Sequence, residues 1–126
     1  MSRLTVSQTK YLHTIYKAHK SKVGIRSVDI SRELHVTKAS VSRMVRLLAE
    51  LGLITVETYG AINLTQEGNR EGHIIDCKIA RLYPFFAEYL ELDEPEAIDS
   101  AYSFISGFSE HCVERLMGKG WMFQEA

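Results

Sequence analysis

Only two prolines and two cysteines occur in the 126 residues, and no apolar run approaches the ~20 residues that a membrane-spanning helix requires. The N-terminus also lacks the charged-then-apolar pattern of a secretory signal. The expected location is therefore the cytoplasm. Cys77 and Cys112 form neither a CxxC pair nor a disulfide framework, so reduced, buried thiols are expected. There is no Gly-rich phosphate loop, no GxSxG elbow and no carboxylate or histidine constellation, which argues against an enzyme. Internal repeats, low-complexity blocks and long Pro/Gly/Ser linkers are absent too.

What is present is an apolar fraction of 45%, sufficient for one compact domain or for a small domain with an oligomerisation segment. The net charge of −1 conceals an asymmetry. Residues 1–64 hold 10 Lys/Arg against 4 Asp/Glu, and residues 65–126 hold 5 against 12. A basic half joined to an acidic half is compatible with one part meeting a polyanion, although solvated helix faces give similar counts.

The pattern along the chain is mainly helical. Thr5-Val6-Ser7-Gln8 has the form of a capping box, and Tyr11, Leu12, Ile15 and Tyr16 follow at helical spacing, predicting a first helix that ends near His19. A brief extended piece at Ile25-Arg26 precedes a short helix capped by Ser27, with Ile30 and Leu34 on one side. Thr37 then caps a third helix striped by Val41, Met44, Val45, Leu48 and Leu51 and stopped by Gly52. Alternation in Ile54–Glu57 and Ile62–Leu64 around Tyr59-Gly60 predicts a β-hairpin.

Helix, helix, helix, hairpin is the order of a winged helix-turn-helix. Thr65 caps a long helix through about Tyr89, with a kink expected at Pro84. Asp93-Glu94-Pro95-Glu96 starts another helix, and a last one runs from Ser109 to about Met117.

Lys38, Ser40, Ser42, Arg43 and Arg46 lie opposite the apolar stripe of the third helix, mixing small hydroxyls with cations. In helix-turn-helix readers the start of the second helix enters the major groove. Thr37, Ala39, Ser42 and Arg43 are the candidates for base edges, and Lys38, Ser40 and Arg46 for phosphates. Arg26 and the wing around Tyr59 are expected to join them. An isolated helix of this kind would be read as a merely solvated face; the hairpin that follows favours DNA.

The segments "LTVSQTKYLHTIY", "SVDISRELHVTKASVSRMVRLLAELGLI" and "INLTQEGN" resemble the iron-dependent repressor family, the group of the diphtheria toxin repressor and the manganese transport regulators. The resemblance continues through "ARLYPFFAEYLELDEPEAIDSAYSFISGFSEHCVERLM". It implies a mainly α fold with a small β-hairpin: a winged helix-turn-helix DNA-binding domain over 1–64, then an all-α dimerisation and metal-sensing domain over 65–126, in a short form without the family's optional SH3-like domain. The implied function is a homodimeric repressor in a bacterial or archaeal nucleoid, bound to a near-palindromic DNA operator and loaded with Fe2+ or Mn2+.

At the positions that the resemblance assigns to metal ligands, however, this chain has Lys10, His13, Ile79, Tyr83, Ile98, Tyr102, Ile105 and Ser106. Of these only His13 retains a donor suited to such a cation, and Lys10 would repel it. The expectation is a dismantled metal site and no metal cofactor, with Lys10 acting as a fixed internal cation. Weaker donors are His73 and Cys77, four apart on a helix, together with His111 and Cys112. A buried, small apolar cysteine and a surface histidine are the preferred account of the first pair.

The dimer interface is expected at Phe85, Phe86, Tyr89, Phe108 and Leu116. Two alternatives stay open. The aromatics Tyr83, Phe85, Phe86, Tyr102, Phe104 and Phe108 are compatible with the pocket of a winged-helix repressor controlled by a small-molecule effector. A protein-interaction module that has lost DNA binding is the other, against which Lys38, Arg43 and Arg46 argue.

Overall fold

A computed structural model describes residues 4–22 and 24–119. Its elements are α1 (Val6–Ser21), α2 (Ser27–Leu34), α3 (Lys38–Glu50), β1 (Ile54–Val56), β2 (Ile62–Leu64), α4 (Gln66–Pro84), α5 (Glu94–Gly107) and α6 (Glu110–Met117), with a π-helical turn at Phe85–Tyr89 directly after α4. The architecture is mainly α with one antiparallel hairpin, as the sequence pattern predicted. Two compact units are present: Lys10–His73, and residues 4–9 together with 74–119. This division falls inside α1 and inside α4, and not at the expected boundary of 64/65.

In the Lys10–His73 unit, local hydrogen bonds set the helix starts. Thr37 Oγ1 accepts the Ser40 amide at 3.1 Å and begins α3. The expected Ser27 cap on α2 is corrected: Ser27 is the first helical residue and Arg26 is the cap. The Asp29 carboxylate accepts the Arg26 amide at 2.9 Å, and the Arg26 carbonyl accepts the Asp29 amide at 2.9 Å. The carboxylate at the third helical position thus supplies the back-reaching half of a capping box, and the Arg26 carbonyl takes the amide that a capping hydroxyl would have taken.

Helix α2 ends in His35, which takes the left-handed conformation (φ 56°, ψ 47°), and two residues later Thr37 starts α3. The core of this unit is Leu12, Ile15, Ile25, Ile30, Val41, Leu48, Leu53, Ile54 and Ile62, all essentially inaccessible. The hairpin pairs Ile54 with Leu64, Thr55 with Asn63 and Val56 with Ile62. Ile25 adds a single bridge to Ile62, whose amide donates to the Ile25 carbonyl at 2.6 Å.

The first turns of α4 are held by Thr65. Its hydroxyl donates to the Gly52 carbonyl at 2.6 Å and accepts the Gly68 amide at 3.0 Å. Gly68 and Gly72, one turn apart, allow closer approaches than any other described glycine. A Cβ at Gly68 would sit 1.8 Å from the Leu53 carbonyl oxygen, and one at Gly72 would sit 2.7 Å from the Tyr16 ring.

In the other unit, Thr5 and Gln8 close the predicted capping box reciprocally, at 3.0 and 3.1 Å, and α1 runs two residues past His19. Pro84 has helical angles (φ −58°, ψ −31°) and ends α4. Its ring nitrogen cannot donate to the Ala80 carbonyl. The widened turn follows at once, with the Leu90 amide reaching the Phe85 carbonyl at 3.0 Å. Asp93 caps α5 and Ser109 caps α6, each through its side chain. Lys78 pairs with Glu110 at 2.7 Å, and Arg81 donates to the Met117 carbonyl at 2.9 Å, fixing α6 along α4. The interior here is Ile75, Ile79, Leu82, Phe86, Ala97, Ala101, Tyr102, Ile105 and Val113.

Candidate nucleic-acid interface

Helix α3 turns Val41, Val45 and Leu48 inward, so geometry alone leaves Lys38, Ala39, Ser42, Arg43 and Arg46 exposed. Ala39, Arg43 and Arg46 follow one another at helical spacing along the middle of that face, a small residue near the start and two guanidinium groups beyond it. Thr37 and Ser40 have a further role. The Thr37 hydroxyl donates to Ser40 Oγ at 3.0 Å, and Arg43 Nη2 donates to the same oxygen at 3.4 Å. The cap of the helix therefore also tethers the first of its arginines.

Arg26 and Tyr59, the two expected contributors outside α3, are brought together. Arg26 Nη1 donates to the Tyr59 carbonyl, and Gly60 (φ 87°) leaves just enough room for the guanidinium. Tyr59 is 80% exposed at the tip of the hairpin. Glu57, the one charged side chain of the tip, accepts from Asn63 Nδ2 at 2.6 Å. Spacing could not have shown the Arg26–Tyr59 contact, because 33 residues separate the partners.

The positions assigned by resemblance to a divalent metal have a different chemistry. Ile79 and Ile105 are buried hydrocarbon and Ile98 is half-buried, none with a donor atom. Tyr102 is buried, and desolvation, then the nearby Asp76 and Asp99 carboxylates, push its phenol up to about 12, so it stays neutral. Ser106 Oγ donates to Thr9 Oγ1 at 3.3 Å, and Thr9 is buried. Tyr83 and Lys10 are half-buried, and His13 is buried. This set does not fit Fe2+ or Mn2+, which call for converging carboxylate and imidazole donors.

Among the described residues no group of three or more His, Cys, Asp or Glu gathers as a metal site. His73 is exposed, its Nδ1 3.1 Å from the Tyr16 hydroxyl. His111 is exposed. The expectation of buried thiols is corrected: Cys77 is exposed and Cys112 half-buried, because both fall outside the apolar stripes of their helices.

Of the residues expected at a dimer interface, Tyr89 and Phe108 are exposed, Phe85 and Leu116 half-buried, and Phe86 is buried against Phe85 and Phe104. Phe86, Phe104 and Phe108 floor a groove of about 620 Å³ edged by Asp93, Glu96 and Asp99. No helix among the described residues is long and apolar enough to cross a membrane.

Comparison with known proteins agrees with the winged-helix architecture. Residues 3–62 match the model of the iron dependent repressor N-terminal DNA binding domain. An uncharacterized HTH-type transcriptional regulator of Methanocaldococcus jannaschii is 31% identical over 107 residues, 84% of this chain and 86% of that protein. Among solved structures, a hypothetical protein from Sulfolobus solfataricus has a TM-score of 0.64 at 22% identity, covering 94% of this chain and 89% of the other. A manganese-dependent transcriptional repressor in complex with manganese has a TM-score of 0.75 at 24% identity, covering 90% of this chain. This chain spans 52% of that repressor's length. These identities speak for the fold; the match to the regulator and to the domain model speaks for the family. The chain belongs to the iron-dependent repressor family, whose members are helix-turn-helix transcriptional regulators and not enzymes.

Proposed function

We propose that this protein is a homodimeric, sequence-specific DNA-binding regulator, of repressor type and acting in the cytoplasm, that has given up the Fe2+ or Mn2+ trigger of its family. The observation that carries the reading is the outer face of α3, where Ala39, Arg43 and Arg46 stand exposed above a helix start tied by Thr37 and Ser40. Arg43 is suited to guanine, Ala39 and Ser42 to the small contacts of a base edge, and Lys38 and Arg46 to phosphates. Homodimerisation is supported by Tyr89, Leu90 and Phe108, three large apolar side chains exposed in the helical unit. Two copies would present two α3 helices to the half-sites of a near-palindrome.

Loss of the metal trigger is supported by the donor set. Ile79, Ile98 and Ile105 supply no ligand atom, and Ser106 bonds to Thr9 instead. The test is a gel-shift titration of the purified protein on genomic fragments, with and without chelator. Fragment-specific binding of equal affinity in both arms is expected. Binding abolished by chelator and restored by Mn2+ would overturn the metal-free reading, and absence of binding in both arms would overturn the DNA reading.

A second reading, control by a small apolar effector, is favoured by the aromatic-floored groove at Phe86, Phe104 and Phe108, whose volume lies in the range of ligand pockets. Sedimentation of the free protein separates the two uses of that surface, because a stable dimer would cover its exposed aromatics.

A further inference from the structure

The hairpin tip, Glu57-Thr58-Tyr59-Gly60-Ala61, contains no lysine or arginine. Its single charged side chain, Glu57, is acidic and engaged by Asn63. A wing of this composition has no cation with which to hold a phosphate backbone. The guanidinium that lies against it comes from Arg26, at the start of α2, through the bond from Nη1 to the Tyr59 carbonyl.

Arg26 is itself held firmly. Its amide donates to Asp29, its carbonyl accepts from the Asp29 and Ile30 amides, and its neighbour Ile25 bridges to Ile62 at the base of the same hairpin. Gly60 completes the arrangement, since a Cβ there would lie 3.2 Å from Arg26 Nη1 and the residue has φ 87°.

Building on the DNA-binding reading above, we infer that Arg26 is a positioning residue: it sets the wing so that the exposed Tyr59 side chain meets the DNA backbone beside the groove entered by α3. Arg26 acts through Tyr59 and not as a separate phosphate contact. The two roles differ measurably. Loss of a phosphate contact lowers the salt dependence of binding by about one unit of slope, whatever happens at the wing. A positioning contact loses its effect once the residue that it positions is gone.

The experiment uses the full-length protein and a duplex selected by the wild type from random-sequence DNA. Failure of the wild type to select any duplex would count against the DNA-binding reading alone. Arg26→Ala is expected to weaken binding about tenfold, in line with loss of a charge-assisted hydrogen bond, with the salt slope unchanged. Tyr59→Ala is expected to weaken it similarly, and the double variant no more than either single one. Gly60→Ala, an independent way of displacing the wing, should repeat the loss.

Without DNA, hydrogen exchange at the Glu57 and Gly60 amides, which bond to Ala61 and Glu57 carbonyls within the tip, should accelerate in Arg26→Ala. The inference is overturned by additive losses with a reduced slope, by wild-type affinity in Tyr59→Ala, or by unchanged exchange at the tip.

Discussion

The ring of Tyr16 occupies the space where Gly72 would otherwise carry a side chain, and its hydroxyl lies 3.1 Å from His73 Nδ1 on the same turn of α4. One aromatic residue thus meets both a void and a polar atom, and the void is one that only glycine leaves. Gly68 repeats the relationship against the Leu53 carbonyl.

Replacing either glycine by alanine sets two effects against each other. Alanine favours a helix interior by ~1 kcal/mol, whereas overpacking costs ~1–3 kcal/mol and occasionally more. At Gly68 the obstructing atom is a backbone oxygen 1.8 Å away, so the clash wins clearly. Urea unfolding of Gly68→Ala is expected to show a loss of ~3 kcal/mol or more, and of Gly72→Ala a smaller one, since the Tyr16 atoms stand 2.7 Å or more away. A stabilised Gly68→Ala would contradict the packing described.

Arg43 and Arg46 should separate when bound to DNA. Arg43→Ala is expected to cost ~1–3 kcal/mol on the preferred duplex and to relax preference at one base pair, as a guanine contact does. Arg46→Ala should weaken all duplexes alike and reduce the salt slope by ~0.9. Binding measured on single-base variants of the duplex across a salt series checks both.

Tyr102 links stability to alkaline pH. Burial, with Asp76 and Asp99 nearby, raises its pKa from 10.0 to about 12 in the fold, so the neutral phenol is favoured there. The associated stability is fully present below pH ~10 and is lost as pH rises from ~10 through about 12. Absorbance titration of tyrosinate should show a late-ionising phenol that Tyr102→Phe removes, and that variant should lose less stability than the wild type between those limits.

Asp29 gives the opposite sign at the acid end. The Arg26 amide, opposed by partial burial and then aided by Lys22, holds its carboxyl below 3.8. Its contribution is present above that value and disappears as pH falls through the lowered pKa. Asp29→Asn is expected to flatten the acid limb of a stability profile measured from pH 5 downward. A wild-type limb in that variant would show that the carboxylate is not what holds the start of α2.

Most of the architecture was legible in the residues because it is written in local hydrogen bonds. Thr5 with Gln8, Thr37, Thr65, Asp93 and Ser109 all start helices through partners three residues away. Arg26 was harder to read as a cap, since its amide and carbonyl do the work and the acceptor belongs to Asp29.

The close approaches at Gly68 and Gly72, and the reach of Arg26 to Tyr59, depend on elements meeting in space and leave no periodic trace. Exposure of α3's polar face followed from its apolar stripe, while the shared oxygen of Ser40 required side-chain positions. Cysteine was misjudged because average burial describes the residue type, whereas position on the helix decides the individual.

The widened turn at Phe85–Tyr89 amounts to one surplus residue in helical count. Phe86 faces the interior and Tyr89 faces out, with the Tyr89 ring stacked 5.5 Å from Phe85. Deleting a single residue there would restore ordinary winding, in which successive side chains step by roughly 100° and the outward place that the surplus gives Tyr89 is lost. The aromatic surface is therefore set by arithmetic as much as by composition: the same side chains, one residue shorter, would present a different face to a partner.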